Sequence, residues 1–188
     1  MKEKIIKAAE EVFSERGFHE TKIYQIAEKA GVSVGTIYRF FESKEELYLT
    51  VVHSKLSKLE EEVKKAVSGK SPTLALKSYI SAVIDFFLKE DGFFKLFIRE
   101  VGVFSVVDEE RFKISEWYRN YLKNLSSIIK KGIETGEFRK SDPYALSLAV
   151  SGVLKNMIYC HSKGMLNGDT EYLKKEIEDF ILNGLLNK

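Results

Sequence analysis

The chain has 188 residues, 44% of them hydrophobic and 31% charged, with a formal net charge of +2. That balance excludes a disordered chain, and the charge is too mild to indicate a nucleic-acid partner by itself, so any such partner must be argued from local geometry. A single cysteine, Cys160, excludes an internal disulfide and suits a reducing compartment.

Only Pro72 and Pro143 interrupt the chain, so long tracts are free of helix breakers. No apolar run approaches the roughly 18 residues of a membrane span. The first residues hold no apolar signal core, and the expected location is the cytoplasm.

Ile5, Ala9, Val12 and Phe13 recur at helical spacing and predict a first helix from about Lys2 to Arg16. Gly17 stands where a helix ends in a left-handed residue, and Phe18 is placed to fold back on Phe13. A second helix is expected from Thr21, taken as its N-cap, with Ile23, Ile26, Ala27 and Ala30 inward and Gly31 at its end. Ser33 caps a short third helix reaching about Phe41, with Ile37 and Phe41 inward. Ser43 and Glu46 have the spacing of a capping box and open a long fourth helix that stops before Gly69.

The later chain reads as helix throughout. Segments are expected over Thr73–Lys89, then from Phe93 to about Phe104 after a break at Asp91-Gly92. Another is capped by Asp108 and runs to Thr135, one goes from Asp142-Pro143 to about His161, and the last spans Thr170–Leu186. No segment alternates as a strand does, so the fold class is all-α.

The stretch Ile26–Phe41 carries the chemistry. Two short helices that cross steeply need a small residue at their contact, a corner tolerant of positive φ, and an apolar lock. Ala27, Gly31 and Ile37 stand at those places, so the stretch has the spacing of a helix-turn-helix. With Ile37 and Phe41 inward, Val34, Gly35, Thr36, Tyr38 and Arg39 face outward, toward a major groove. Phe41 reads as a core aromatic; Tyr38 has the outward phase. Acidic residues slightly outnumber basic ones before Leu47, so DNA binding depends on where the charges point.

From Ile5 to Leu47 the sequence resembles the TetR family of bacterial regulators. The resemblance rests on Ala8-Ala9, Phe13, Gly17-Phe18, Ile26-Ala27, Ala30-Gly31-Val32-Ser33, Gly35-Thr36-Ile37-Tyr38, Phe41, Ser43-Lys44-Glu45 and Leu47. It implies an N-terminal three-helix DNA-binding domain over 1–47. A long helix would join this to a helical effector-binding and dimerisation domain over 48–188, with the changeover near residues 53–58. It also implies that Tyr38 and Lys44 contact phosphates, and that Ser33, Val34, Gly35, Thr36, Arg39 and Phe40 face the groove or its walls. Lys22, at the start of the second helix, is placed to reach a phosphate.

Two departures matter. Several relatives carry lysine or glutamine where Val34 stands, which favours contact with a thymine methyl over a hydrogen bond to a base. Many carry histidine where Phe40 stands, so one polar contact is lost.

The later helices are rich in aromatic residues, each equally at home in a packed core. The resemblance turns the set toward a cavity with an apolar, lipid-like, acyl or aromatic effector. Its expected lining is Phe86, Phe87, Phe94, Phe97, Arg99, Phe104, Trp117, Tyr118, Tyr121, Met157 and His161. Small residues Ala145, Ala149 and Gly152, together with Ile177, Phe180, Ile181 and Leu185, resemble the dimerising helix pair of the family, although the same faces could pack within one chain.

The expected partners are therefore double-stranded operator DNA, a second copy of the chain and a small effector, with no membrane. The expected function is a ligand-released repressor on a palindromic operator. An effector-independent DNA-binding or nucleoid-associated protein of the same fold is the alternative. No nucleophile–base set, paired catalytic carboxylates, phosphate loop or metal-ligand cluster is visible, so no enzyme activity and no cofactor are expected.

Overall fold

The computed structural model describes residues 1–101 and 114–186. Among them the structure is helical: α1 Lys2–Glu20, α2 Ile23–Ala30, α3 Val34–Tyr38, α4 Lys44–Val67, α5 Pro72–Lys89, α6 Asp91–Val101, α7 Ile114–Glu134, α8 Pro143–Ser162 and α9 Thr170–Leu185. An isolated antiparallel bridge between Phe138 and Leu186 is the one departure from helix pairing among the described residues. The expected Asp108 cap and Phe104 lie outside the described residues, as does the end of the helix expected to reach Phe104. No helix among the described residues is long and apolar enough to cross a membrane.

The chain divides into two compact units, and the division falls inside α4, between Lys58 and Leu59. The first unit holds α1, α2, α3 and α4 as far as Lys58, and the chain returns to it at Glu90 with α6. The sequence suggests a first domain over 1–47 with the changeover near residues 53–58 inside the long helix, and it does not anticipate the return at Glu90. The second unit holds the rest of α4, α5, α7, α8 and α9.

In the first unit, Ile5, Ala9, Phe13, Ile26, Ile37, Phe41, Leu47 and Tyr48 form a dry centre. Gly17 adopts φ 80°, so the chain bends there and Phe18 stacks on Phe13 at 6.2 Å between ring centroids. Thr21 does not cap α2. It is buried, and its hydroxyl donates to the Gly17 carbonyl at 2.6 Å, closing the end of α1 instead. The cap of α2 is Lys22, whose backbone N–H donates to the Gln25 side chain at 2.9 Å. Helix α6 packs on α1, with Phe93, Phe94, Leu96 and Phe97 buried. Where α6 begins, Glu90 accepts from Lys55 and Lys58 of α4, and Lys55 also pairs with Glu10 of α1 at 2.7 Å.

Ser43 accepts from the Glu46 backbone N–H at 3.1 Å and starts α4 as the capping-box spacing predicts. The reciprocal bond lands one residue earlier, because the Glu46 carboxylate accepts from the N–H of Glu42.

In the second unit, Asp142 caps α8 by accepting from Ala145 N–H at 2.8 Å, and Asp169 caps α9 through Tyr172 N–H at 2.9 Å. Glu137 accepts from both the backbone and the hydroxyl of Thr73, which ties the start of α5 to the chain beyond α7. These two bonds hold the Glu137 carboxyl below the usual range.

Candidate functional site

The corner between α2 and α3 is built by backbone hydrogen bonds. Gly31 sits at φ 60°, ψ 43°, its N–H donates to the Glu28 carbonyl, and Val32 N–H donates to the Ala27 carbonyl at 2.9 Å. This pair of bonds is a Schellman stop, and its left-handed residue is a glycine because a Cβ would be strained there. Val32 leads into Ser33, whose hydroxyl accepts from Thr36 N–H at 3.1 Å and caps α3. Ala27 and Ile37 are buried where the helices meet.

The recognition helix is shorter than its sequence pattern predicts. Regular helix ends at Tyr38, and Phe41 reaches the core after a tighter final turn in which Phe40 N–H bonds to the Ile37 carbonyl. Ser33, Val34, Gly35, Tyr38 and Arg39 are exposed, while Thr36 and Phe40 are half-exposed. Tyr38 is 50% exposed, and Tyr24 on α2, which the sequence reading passed over, is 60% exposed. A Cβ built on Gly35 would meet nothing nearer than the Ser33 hydroxyl at 3.8 Å, so nothing inside the chain requires glycine on space grounds. The hydroxyls of Ser33 and Thr36 lie 2.9 Å apart, so each is already engaged with the other.

Two of the lysines nearby are occupied. The Lys29 ammonium is 2.8 Å from the Glu11 carboxylate, which raises the lysine pKa and lowers that of the acid. The Lys44 ammonium donates to the carbonyls of Phe18 at 2.9 Å and Thr21 at 3.0 Å and sits 4.3 Å from the centre of the Phe18 ring. Lys44 therefore joins the start of α4 to the corner between α1 and α2, leaving one ammonium hydrogen uncommitted. Its reach was not legible from sequence spacing. Lys22 stays exposed at the start of α2.

The second unit contains a cavity of about 480 Å³ between α4, α5 and α7. Leu59, Val63, Val67 and Ile128 give it apolar walls, Tyr79 and Tyr121 lie along them, and Glu60, Lys64, Asn124 and Ser127 stand on its exposed side. Tyr121 stacks on Trp117 at 5.2 Å and Tyr118 at 6.0 Å between ring centroids, and the Tyr79 ring lies tilted against it at 5.8 Å. The Tyr118 hydroxyl is 3.2 Å from that of Ser151 on α8.

Of the residues expected to line a cavity, Tyr121 lines this one, with Trp117 and Tyr118 stacked behind it. Phe94 and Phe97 are buried in the first unit, and Phe86 and Phe87 in the core of the second. Met157 and His161 are half-exposed on α8. The Arg99 side chain and Phe104 lie outside what the structure describes. The α4 residues and Tyr79 were missed. The signal was there in Leu59, Val63 and Val67, one helical turn apart on α4, the latter two short of full burial.

On α8, Tyr144, Leu148 and Tyr159 are exposed beside Ala145, Ala149 and Gly152. Phe180 on α9 is 69% exposed and Tyr172 is 51% exposed. Ile177, Ile181 and Leu185 point the other way, into the core of their own chain. Of the residues expected at a dimer face, the three small ones and Phe180 are thus at the surface and the other three are not.

Residues 5–51 match the family described as bacterial regulatory proteins, tetR family, and residues 69–185 match the tetracyclin repressor-like C-terminal domain. The fatty acid metabolism regulator protein of Bacillus subtilis is 27% identical over 98% of this chain and 95% of its own length. Among solved structures, the TetR family transcriptional regulator PfmR from Thermus thermophilus is 27% identical with a TM-score of 0.78, covering 97% of this chain and 99% of its own. The regulator FadR from Bacillus subtilis, solved in complex with stearoyl-CoA, shares the fold at 24% identity and a TM-score of 0.85, over 98% of this chain and 99% of its own.

Proposed function

Because the chain belongs to the TetR family of bacterial regulatory proteins and is a DNA-binding transcriptional regulator, we propose that it is a dimeric repressor released from its operator by an acyl-type effector. The observation that carries the DNA-binding half is the exposed row Ser33, Val34, Gly35, Tyr38 and Arg39, on a short helix locked by Gly31 and Ile37. Val34 and the Thr36 methyl are suited to thymine methyls, and Arg39 to a guanine edge or a phosphate. Tyr38, Lys22 and the free hydrogen of Lys44 serve phosphates. Phe40 packs against the groove wall.

An exposed apolar surface of this kind on α8 and α9 supports a helix-paired dimer. Leu148 and Phe180 are its apolar centres, and the small residues Ala145, Ala149 and Gly152 let a second copy approach closely. Two recognition helices then lie one DNA turn apart, about 34–36 Å, on a palindromic site.

The effector half draws on the apolar cavity of the second unit and on the relatives whose names concern fatty acids. An effector that favours a dimer with different recognition-helix spacing weakens operator binding through that difference in affinity alone. The full-length protein is titrated onto labelled genomic fragments at low salt, the preferred fragment is identified, and decanoyl-CoA is then added. Binding to a two-fold symmetric fragment and its release by decanoyl-CoA are expected. Binding that favours no fragment overturns the reading, and binding that no acyl compound alters leaves only an effector-independent regulator.

A further inference from the structure

Lys2 and Lys4 stand on the first turn of α1, ahead of the residues 5–51 that carry the family match, and both are exposed. Two positions apart on a helix, their side chains diverge and do not share a face. That divergence brings them to opposite ends of the recognition helix. The Lys4 ammonium is 3.5 Å from the point where a Cβ on Gly31 would stand, at the corner that leads into α3. The Lys2 ammonium is 5.3 Å from the centre of the Phe41 ring, just beyond the end of α3.

Exposed lysines are ordinarily no more than solvated surface, and placement singles this pair out. Lys29 is tied to Glu11, and Lys44 gives two of its hydrogens to carbonyls. Among the described residues, neither the Lys2 nor the Lys4 ammonium has a carboxylate or carbonyl partner. Acids outnumber bases in this part of the chain, so two uncommitted cations beside α3 weigh heavily in its attraction for a polyanion. The sugar-phosphate strands form both walls of a major groove, and cations at the two ends of a helix lying in it meet those walls.

We infer that Lys2 and Lys4 each hold a backbone phosphate of the bound duplex, one on either side of the groove that α3 enters. Such contacts fix the position of α3 and carry no base sequence. The inference draws on the DNA-binding role alone; neither the dimer nor the effector enters it.

The full chain is titrated by anisotropy onto the preferred fragment and onto an unrelated duplex, over about 50–300 mM salt. The proteins are wild type, Lys2→Gln and Lys4→Gln singly and together, and the pair Lys2→Arg with Lys4→Arg. Lys7→Gln is the control: Lys7 is exposed one turn further along α1, its charge acting on Glu11, and its loss changes the net charge equally. Each of the single glutamine variants is expected to flatten the slope of log affinity against log salt by about 0.9 per bound chain, and the pair by about 1.8. At about 0.15 M salt that slope corresponds to a loss of about 5-fold per contact and about 30-fold for the pair. The loss is the same on both duplexes, while the arginine pair and Lys7→Gln keep the wild-type slope. An unchanged slope in the glutamine variants overturns the inference. Equal flattening in Lys7→Gln also overturns it, by making the effect one of net charge. A loss confined to the preferred fragment assigns the lysines to base reading and overturns the phosphate contacts. A wild type that binds neither duplex overturns the DNA-binding role and this inference with it.

Discussion

Lys44→Ala separates two roles that a single lysine combines. The ammonium makes two hydrogen bonds to carbonyls and lies over the Phe18 ring. Hydrogen bonds to a charged group contribute about 1.5–3 kcal/mol each and a ring contact about 0.5–1 kcal/mol, but the side chain is only half-buried and solvent can replace part of the loss. We therefore expect about 2–3 kcal/mol of destabilisation, or roughly 5–10 °C in the melting of a chain this size. A phosphate contact through the third ammonium hydrogen leaves a separate mark: the slope of log affinity against log salt flattens by about 0.9 per protomer. Lys44→Met keeps much of the stem over Phe18 and removes every donor, so its stability should fall between the other two while its salt slope matches that of the alanine variant. Thermal melts and salt-titrated anisotropy on the preferred fragment supply both readings. An alanine variant that melts with the wild type refutes the bracing argument, and an unchanged slope refutes the phosphate contact.

Three other outcomes are expected. Gly35→Ala should stabilise the free protein by about 0.5–1 kcal/mol, since the site has room for a methyl and α3 gains a better helix former, yet bind the operator about tenfold more weakly because the methyl stands where the duplex approaches; denaturant midpoints and anisotropy should move in opposite directions. Leu148→Glu combined with Phe180→Glu should leave helicity intact and turn a dimer into a monomer in sedimentation, with operator affinity falling at least 100-fold as the second half-site is lost. Acid should weaken the link among α1, α4 and α6 in a defined window. Burial alone would raise the Glu90 carboxyl, but hydrogen bonds and charge from Lys55 and Lys58 outweigh it and hold the net value below 4.5. A depressed carboxyl stabilises the fold above its unfolded value and loses that contribution as pH falls through the folded one. The stability difference between wild type and Glu90→Gln should therefore be constant from about pH 6 to 5 and shrink below about pH 4.5; a difference that grows on acidification would contradict the assignment.

Local chemistry made much of the architecture legible. The bend at Gly17, the stop at Gly31 and the caps at Ser33, Ser43 and Asp142 follow from bonds between residues three to five positions apart. Thr21 marks the limit of that approach: its hydroxyl can serve the helix before it or the helix after it, and the accessible Gly17 carbonyl decided the matter.

What sequence periodicity fixes is which side of a helix turns inward, because that depends on a repeat of 3.6 residues and nothing more distant. It does not fix what the inward side meets. Phe94 and Phe97 read as cavity residues until the return of the chain at Glu90 set α6 against α1. Ile181 and Phe180 are adjacent and equally apolar, yet one is buried in its own chain and the other is 69% exposed. Lys44 reaches back more than twenty residues to carbonyls that no spacing rule connects to it. The helices and the DNA-reading corner were thus written in near-neighbour chemistry, whereas the cavity walls, the outward apolar face and the partner of each long side chain depended on contacts between distant segments, which only the packed chain brings together.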